Sequence, residues 1–391
     1  MKKNNGKKKV ILELLLVVGL LILVWTILFH DESTTPEAIW QAIRDADYRY
    51  FAAACLALIF YFIIYYSSMQ LICYFSRVKA KPLDIFLISN SEFFFNGITP
   101  GAVGGQPFQI FAFKQIGVSS GQSTGVILMN FVCGMVSQFI LAGLSLFAYH
   151  YVIEFAPSMI PLFWIGILLQ AFVVFFFLFL GFSKAFRKLM VTIVNWIASW
   201  KILRKCKNIS SSFEGYITNA QLAFTKCWEH KRVFIMATFL KLLSYVCLYT
   251  IPFFILKAVH APIEQVNCTK ILLIICLTCF ASITANFVPT PGATGAIENT
   301  FRNFFGPIIF LGVANTAIVT AGTLLWRIVT YYILMLFSFI CYTVFTHLVQ
   351  ARPSKLETLT ACDDKNLDEA RDKDEGNDLA IDDNPKESNE L

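Results

Sequence analysis

Residues 99–107 read Thr99-Pro100-Gly101-Ala102-Val103-Gly104-Gly105-Gln106-Pro107, and residues 289–298 read Pro289-Thr290-Pro291-Gly292-Ala293-Thr294-Gly295-Ala296-Ile297-Glu298. Proline lacks a backbone donor and glycine loosens a helix, so neither stretch can remain regularly helical. Both lie within long apolar runs. Non-helical backbone at membrane depth is tolerated only where protein buries it or where it lines a watery cavity. Two such breaks in corresponding halves of a chain are the pattern of a transporter-like site.

The surrounding composition sets the class. The chain is 57% hydrophobic and 15% charged, with a mean hydropathy of +0.62. Several runs reach the roughly 20 apolar residues that a bilayer crossing requires. The fold class is an all-α polytopic membrane protein. Apolar spans are predicted near 10–29, 50–75, 122–149, 159–182, 233–257 and 268–288, with a last apolar region over 307–347. Gly322, near the middle of that region, leaves open whether it holds one tilted helix or two. Five lysines precede Val10, as in a signal peptide, but no small-residue cleavage site follows and further spans do, so 10–29 reads as an uncleaved first helix.

Charge predicts orientation through the positive-inside rule. The lysine-rich N-terminus is expected in the cytoplasm, the acidic loop 30–47 outside, and Arg77, Lys79 and Lys81 inside. Residues 183–232 carry ten Lys/Arg against two Glu and are expected inside. Residues 82–117 must then enter and leave on one side, which makes the first break re-entrant. A cytoplasmic tail requires 289–347 to cross twice, for about eight crossings in a pseudo-repeat with two Pro/Gly-broken segments. A transmembrane domain is expected over 1–350. Its 183–232 loop shows helical periodicity (Phe186, Leu189, Ile193, Ile197, Trp200) with basic residues between, a pattern suited to an anionic inner leaflet. Residues 351–391 read as a disordered acidic tail. From Glu357 it has thirteen acidic and four basic residues.

The search for catalytic chemistry is largely negative. Gly117-Val118-Ser119-Ser120-Gly121 matches G-x-S-x-G but lies between membrane segments, without the strand–turn–helix setting of a nucleophile elbow. A helix cap at Ser119 or Ser120 is the expected role. Five scattered histidines show no metal-type spacing. The Cys276/Cys279 pair has no second ligand pair, and most of the eleven cysteines lie in apolar runs as reduced thiols. No enzyme activity, metal or cofactor is expected. Ionisable residues in the membrane are costly and face a cavity or a partner. Glu92, Glu298, Arg302 and Arg327 stand out. Glu298 and Arg302, four residues apart, can pair on one helix face. Arg327 can pair with Glu298 or Glu92, or hold a phosphate bidentately. Helix starts at Gly105 or Gly295 would point free N–H groups at an anion, and Asn96, Gln106 and Gln109 add neutral donors.

These residues resemble the lysylphosphatidylglycerol synthase transmembrane family of flippase-like proteins. Its first signature is similar to Thr99-Pro100 through Gly104-Gly105-Gln106-Pro107-Phe108-Gln109, with Lys114 and Gly117-Val118. Many members carry an acid and an arginine after the Gly turn, where this chain has Gln106 and Gln109, a form that looks like the Gram-positive branch. The second signature, P-G-x-x-G-x-x-E, is matched by Pro291-Gly292, Gly295 and Glu298. The third, an arginine followed by an aromatic in the last long helix, is matched by Arg327 and Tyr331. The resemblance covers about residues 10–350.

In the multiple peptide resistance factor, this region resembles a flippase for aminoacylated phosphatidylglycerol, with a separate synthase domain that is not expected here. The resemblance implies a multi-pass protein of the bacterial cytoplasmic membrane that binds or translocates an anionic phospholipid, aminoacylated forms included, or a lipid-linked headgroup. The alternative is a non-transporting scaffold or accessory subunit of a lipid or cell-envelope enzyme. The substrate-binding set is Glu92, Asn96, Gly104, Gly105, Gln106, Gln109, Gly292, Gly295, Glu298, Arg302, Arg327 and Tyr331. Membrane lipids are the expected partners. A second copy of the chain and an envelope enzyme stay open, and nucleic acid is not expected.

Overall fold

A computed structural model of the chain describes residues 36–99, 104–155, 157–198, 231–261, 268–285, 291–293, 295–310 and 316–350. The expected first span at 10–29, residues 199–230 of the basic loop and the acidic tail lie outside the described residues. In chain order the helices are α1 (Pro36–Arg44), α2 (Tyr48–Phe75), α3 (Pro82–Ile98), α4 (Gly105–Gln115), α5 (Ser120–Ser145), α6 (Tyr149–Phe155), α7 (Ile160–Phe182) and α8 (Lys184–Ala198). They continue with α9 (Lys231–Ala258), α10 (Cys268–Ala285), α11 (Ala296–Phe310), α12 (Thr316–Arg327) and α13 (Leu334–Gln350). A π-helical turn, Ile328–Ile333, joins α12 to α13. The described residues contain no strand.

Four stretches are long and apolar enough to cross a membrane: Tyr48–Phe75, Ser120–Glu154, Lys231–Ala258 and Ala317–Gln350. Two shorter apolar helices, Ile160–Phe176 and Cys268–Thr284, accompany them. The molecule exposes large apolar side chains and buries polar ones within its apolar core. On α2, Leu56, Ile59, Phe60 and Ile63 are exposed while Ser68 is buried, and α3 buries Ser89, Asn90, Ser91 and Glu92 in a row. Water would reject that surface and lipid accepts it. The protein is an integral membrane protein.

Local signals explain the element ends. Asp47 caps α2 by accepting the Arg49 N–H at 2.9 Å. Arg77, at φ 54, turns the chain out of that helix, and Pro82 opens α3, where its missing N–H costs nothing. Ser119 caps α5, its hydroxyl accepting the Gln122 N–H at 3.4 Å, which is the structural role expected of the G-x-S-x-G stretch. The acidic loop 30–47 holds more structure than its charge implies, since Pro36 and Glu37 start α1 and Ile39 is buried. Gly322 does not divide the last apolar region. The helix runs through it, and the local departure is the π turn one step beyond Arg327.

Inter-helix contacts give the relative directions. The Asp47 N–H donates to Ala258 O and the Ser68 hydroxyl to Ala237 O, so α2 and α9 are antiparallel along their length. Tyr66 meets Phe86 and Tyr61 meets Phe93, so α3 opposes α2 and runs with α9. Cys133 approaches Phe234 O, and Ser137 donates to Thr238 O at 2.8 Å, so α5 also runs with α9. Gln170 reaches back to Met135 O, and Trp164 to the Tyr149 hydroxyl, so α7 returns. Phe163 stacks on Phe280 and Gly166 abuts Ile283, which sets α10 parallel to α7 and opposite to α3.

Two hairpins follow from this. Gly105 lies on Asn96 and Gln109 reaches Ile88 O, so α4 folds back antiparallel on α3. Beyond the second break, Phe280 packs on Phe304, joining α10 to α11. The α10 helix touches the Leu146–Ala148 turn and α11 touches α6, both at the far end of α5. These four helices hold 17, 11, 18 and 15 residues. At 1.5 Å per residue they span about 16–27 Å, short of the roughly 30 Å hydrocarbon core. The two hairpins point at each other from opposite ends of the bundle.

Candidate functional site

The two breaks meet through Tyr331. Gly292 sits at φ 60, a left-handed conformation that glycine adopts without strain. The Tyr331 ring covers it so closely that a Cβ there would lie 2.7 Å from Cζ. The Tyr331 hydroxyl donates to Gly97 O at 3.2 Å, on the last turn of α3 before the first break. The π turn carries Tyr331 and follows directly on Arg327, whose guanidinium lies 4.5 Å from the same ring centroid. Such turns recur at functional sites because they re-aim side chains within a helix.

At the second break Arg327 and Glu298 form a direct ion pair, Nε to Oε1, at 2.6 Å. They are 3% and 2% exposed, so water screens the pair little. Arg327 Nη2 also donates to Gly292 O at 3.2 Å, fastening the turn of the break to α12. Glu298 is the third residue of α11, and its other oxygen accepts the Gly295 N–H at 2.7 Å. That is one half of a capping box, and it places a carboxylate at the positive end of the helix. Arg302 is half-buried one turn further along α11.

The first break is organised around Glu92, which is 5% exposed. Its carboxylate accepts from the Tyr65 hydroxyl at 2.7 Å, Gln106 Nε2 at 3.0 Å and Gln109 Nε2 at 3.1 Å, with Asn96 Nδ2 at the 3.5 Å limit. Asn96 Oδ1 accepts the Gly105 N–H at 2.8 Å, and Thr99 Oγ1 accepts the Gly104 N–H at 3.0 Å. A Cβ on Gly105 would meet Asn96 Oδ1 at 2.6 Å, and one on Gly104 would meet Thr99 Cγ2 at 2.6 Å, so glycine is what lets α4 begin against α3. The N–H groups of Gly105 and Gly295, at the helix starts expected to face an anion, are taken by the Asn96 and Glu298 side chains, because a buried donor left open is costly.

The residues singled out in sequence therefore gather as Asn96, Gly104, Gly105, Gln106 and Gln109 around Glu92, and Gly292, Gly295, Glu298 and Arg327 around Tyr331. Glu92 and Arg327 do not pair. Three contributors escaped the sequence reading. Lys241 on α9 is 1% exposed, and its Nζ lies 3.0 Å from the Tyr65 ring centroid. Its signal was a lysine deep in the run Phe239-Leu240-Lys241-Leu242-Leu243. Tyr65 itself carried no signal among the chain's many aromatics. Ser338 on α13 bridges the backbone of α3, donating to Asn90 O while accepting the Phe94 N–H at 2.8 Å, on either side of Glu92. A hydroxyl set into a helix ladder is a recognised local opening. Among the described residues no group of three or more His, Cys, Asp or Glu is placed for a metal.

The profile described as "Lysylphosphatidylglycerol synthase TM region" matches residues 10–338, which include both breaks and Arg327. The chain is 24% identical over 265 residues to the uncharacterized MG306 homologue of Mycoplasma pneumoniae, covering 64% of this chain and 65% of that protein. It is 23% identical over 269 residues to the uncharacterized protein MG306 of Mycoplasma genitalium, covering 64% and 66%. The chain thus spans just under two thirds of the length of these relatives. On the extent of the family match, the chain belongs to the lysylphosphatidylglycerol synthase transmembrane-region family.

Proposed function

We propose that this protein binds or translocates an anionic phospholipid, aminoacylated forms included, or a lipid-linked headgroup, across a bacterial cytoplasmic membrane. The observation that carries the reading is the pair of opposed short hairpins whose breaks join through Tyr331. With the basic 183–232 region inside, the α3–α4 hairpin enters from the cytoplasm and the α10–α11 hairpin from outside. The expected eight crossings then become six full crossings, with 10–29 as the first, and two re-entrant hairpins. Both counts leave the two termini on the same side. Opposed hairpins at an inverted pseudo-repeat support alternating access. Lipid tails can stay in the bilayer, so only the headgroup needs a polar path. Such movement makes and breaks no covalent bond.

Arg327 is the phosphate-binding guanidinium of this reading, and Glu298 is the carboxylate it leaves when a headgroup arrives. The test is reconstitution of the full chain into liposomes with labelled anionic lipids and a leaflet-accessibility assay. Wild-type protein moves label between leaflets. Glu298→Gln, which keeps the shape and the Gly295 contact, changes the rate about tenfold or more, since a charged hydrogen bond is worth about 1.5–3 kcal/mol. Absence of movement for every lipid tested, with folded protein in the membrane, would leave only the scaffold role.

A further inference from the structure

Two opposite charges at the first break are buried close together yet kept apart. Lys241 Nζ rests on one face of the Tyr65 ring at 3.0 Å from its centroid, and the hydroxyl of the same ring donates to Glu92 at 2.7 Å. The ammonium lies over the face of the ring and the carboxylate at its hydroxyl edge. Among the described residues no carboxylate makes an ion pair with Lys241. Arg327 and Glu298, equally buried, are in direct contact. Burial penalises a charge without a counter-charge, so the split arrangement holds unmet electrostatic capacity at both ends. Beside Glu92 on α3, Ser89 Oγ and Asn90 Oδ1 are fully buried and have no hydrogen-bond partner. A buried cation and a carboxylate held by neutral donors therefore meet the same ring where α2, α3 and α9 adjoin.

A ligand that satisfies both ends must carry both signs, an anion for Lys241 and an ammonium for Glu92, about one aromatic ring apart. We propose that this cluster receives a dipolar aminoalkyl-phosphate headgroup, its phosphate on Lys241 and its ammonium on Glu92. A phosphate and a primary ammonium linked by two carbons have the required charges and short separation. A carboxylate is the direct counter-charge for an ammonium group and forms a charge-assisted hydrogen bond with it. The inference rests on the lipid reading above but changes its headgroup from a net anion to one that carries both signs. The first break selects the headgroup, and Lys241, not Arg327, takes the phosphate in this conformation, because Arg327 is already engaged by Glu298 and Gly292 O.

The test uses the purified full chain in a nonionic detergent and three probes: dihexanoyl phosphatidylethanolamine, dihexanoyl phosphatidylglycerol and inorganic phosphate. Calorimetric titration is expected to give at least tenfold tighter binding for the ethanolamine lipid than for the glycerol lipid. Glu92→Gln erases that preference. Lys241→Met weakens both lipids, and Lys241→Arg restores binding, which a purely structural lysine would not do. Circular dichroism and melting curves confirm that each variant is folded. Equal affinity for the two lipids, a preference that survives Glu92→Gln, binding of inorganic phosphate as tight as that of the ethanolamine lipid, or binding of no probe overturns the proposal. The leaflet assay is separate. Lost movement with this preference intact removes transport and leaves the receiving site, whereas movement without the preference does the reverse.

Discussion

The first and second breaks solve one problem in two ways. Each must interrupt a helix among apolar side chains and still satisfy its backbone. The second uses charge. Glu298 caps Gly295, Arg327 holds Gly292 O, and the two side chains neutralise each other at 2.6 Å. The first uses neutral amides and hydroxyls. Asn96 and Thr99 take the N–H groups of Gly105 and Gly104, and Glu92 is held by Gln106, Gln109 and Tyr65. A closed ion pair fixes the geometry of this conformation. A carboxylate held by neutral donors keeps an exchangeable partner. The second break is thus the anchor and the first the adaptable half, although the sequence assigns more charge to the second.

The largest test of this contrast removes one member from each. Arg327→Met leaves Glu298 buried without its cation and frees Gly292 O, which costs about 3–5 kcal/mol. Gln106→Leu removes one of several neutral donors from Glu92 and costs about 1.5–3 kcal/mol at most. Thermal unfolding of the two variants in the same detergent measures the gap, and adding Glu298→Gln to Arg327→Met recovers part of the loss. If Gln106→Leu were the more damaging change, the roles assigned to the two breaks would be reversed.

Glycine substitution sharpens the comparison. Gly292→Ala combines a Cβ driven into the Tyr331 ring with a left-handed backbone, for about 1–3 kcal/mol of overpacking plus about 1–2 kcal/mol of conformational cost. Gly105→Ala meets Glu92 and Asn96 but carries only the overpacking share of about 1–3 kcal/mol. The expected order of melting temperatures is wild type, then Gly105→Ala, then Gly292→Ala. Equal losses would mean that the second break relaxes around Tyr331, and that this ring does not clamp it.

Ser338→Ala is milder. The hydroxyl between Asn90 O and the Phe94 N–H disappears, but those two backbone groups are themselves a helical pair and can close on each other, so about 1 kcal/mol is at stake. The informative readout is hydrogen exchange at Phe94, expected to slow if the ladder closes. Unchanged exchange would mean that Ser338 does not hold α3 open beside Glu92.

Much of the fold was legible because its signals are local. Hydrophobic runs place α2, α5, α7, α9 and α10, and Pro/Gly composition places both breaks. The helical spacing of Phe186, Leu189 and Ile193 marks α8. The partnering was not legible, because it depends on which helices adjoin. Nothing in the sequence chooses Glu298 over Glu92 for Arg327, a choice made when α11 packs on α12. Nor does it show that the glycine N–H groups are already bound, since Asn96 and Thr99 reach them only through the α3–α4 fold. Lys241 stands out in the sequence only as a charge in an apolar run. Its meaning depends on Tyr65, which lies 176 residues earlier and is adjacent only through the antiparallel α2–α9 packing.

The smallest expected effect has the opposite sign and shows that the glycine penalties belong to the breaks. Gly143 lies in α5, away from both, and a Cβ built there meets nothing within 4 Å. Glycine costs a helix interior about 0.5–1 kcal/mol relative to alanine, through the freedom it loses on folding. With open space and ordinary helical geometry, Gly143→Ala should raise stability by about that amount. If it lowered stability as much as Gly105→Ala, the losses at the breaks would reflect a general demand for small residues in these helices. A rise in melting temperature at Gly143 beside falls at Gly105 and Gly292 ties the penalty to the close approach of Glu92, Asn96 and Tyr331, the contacts that hold the two hairpins in register.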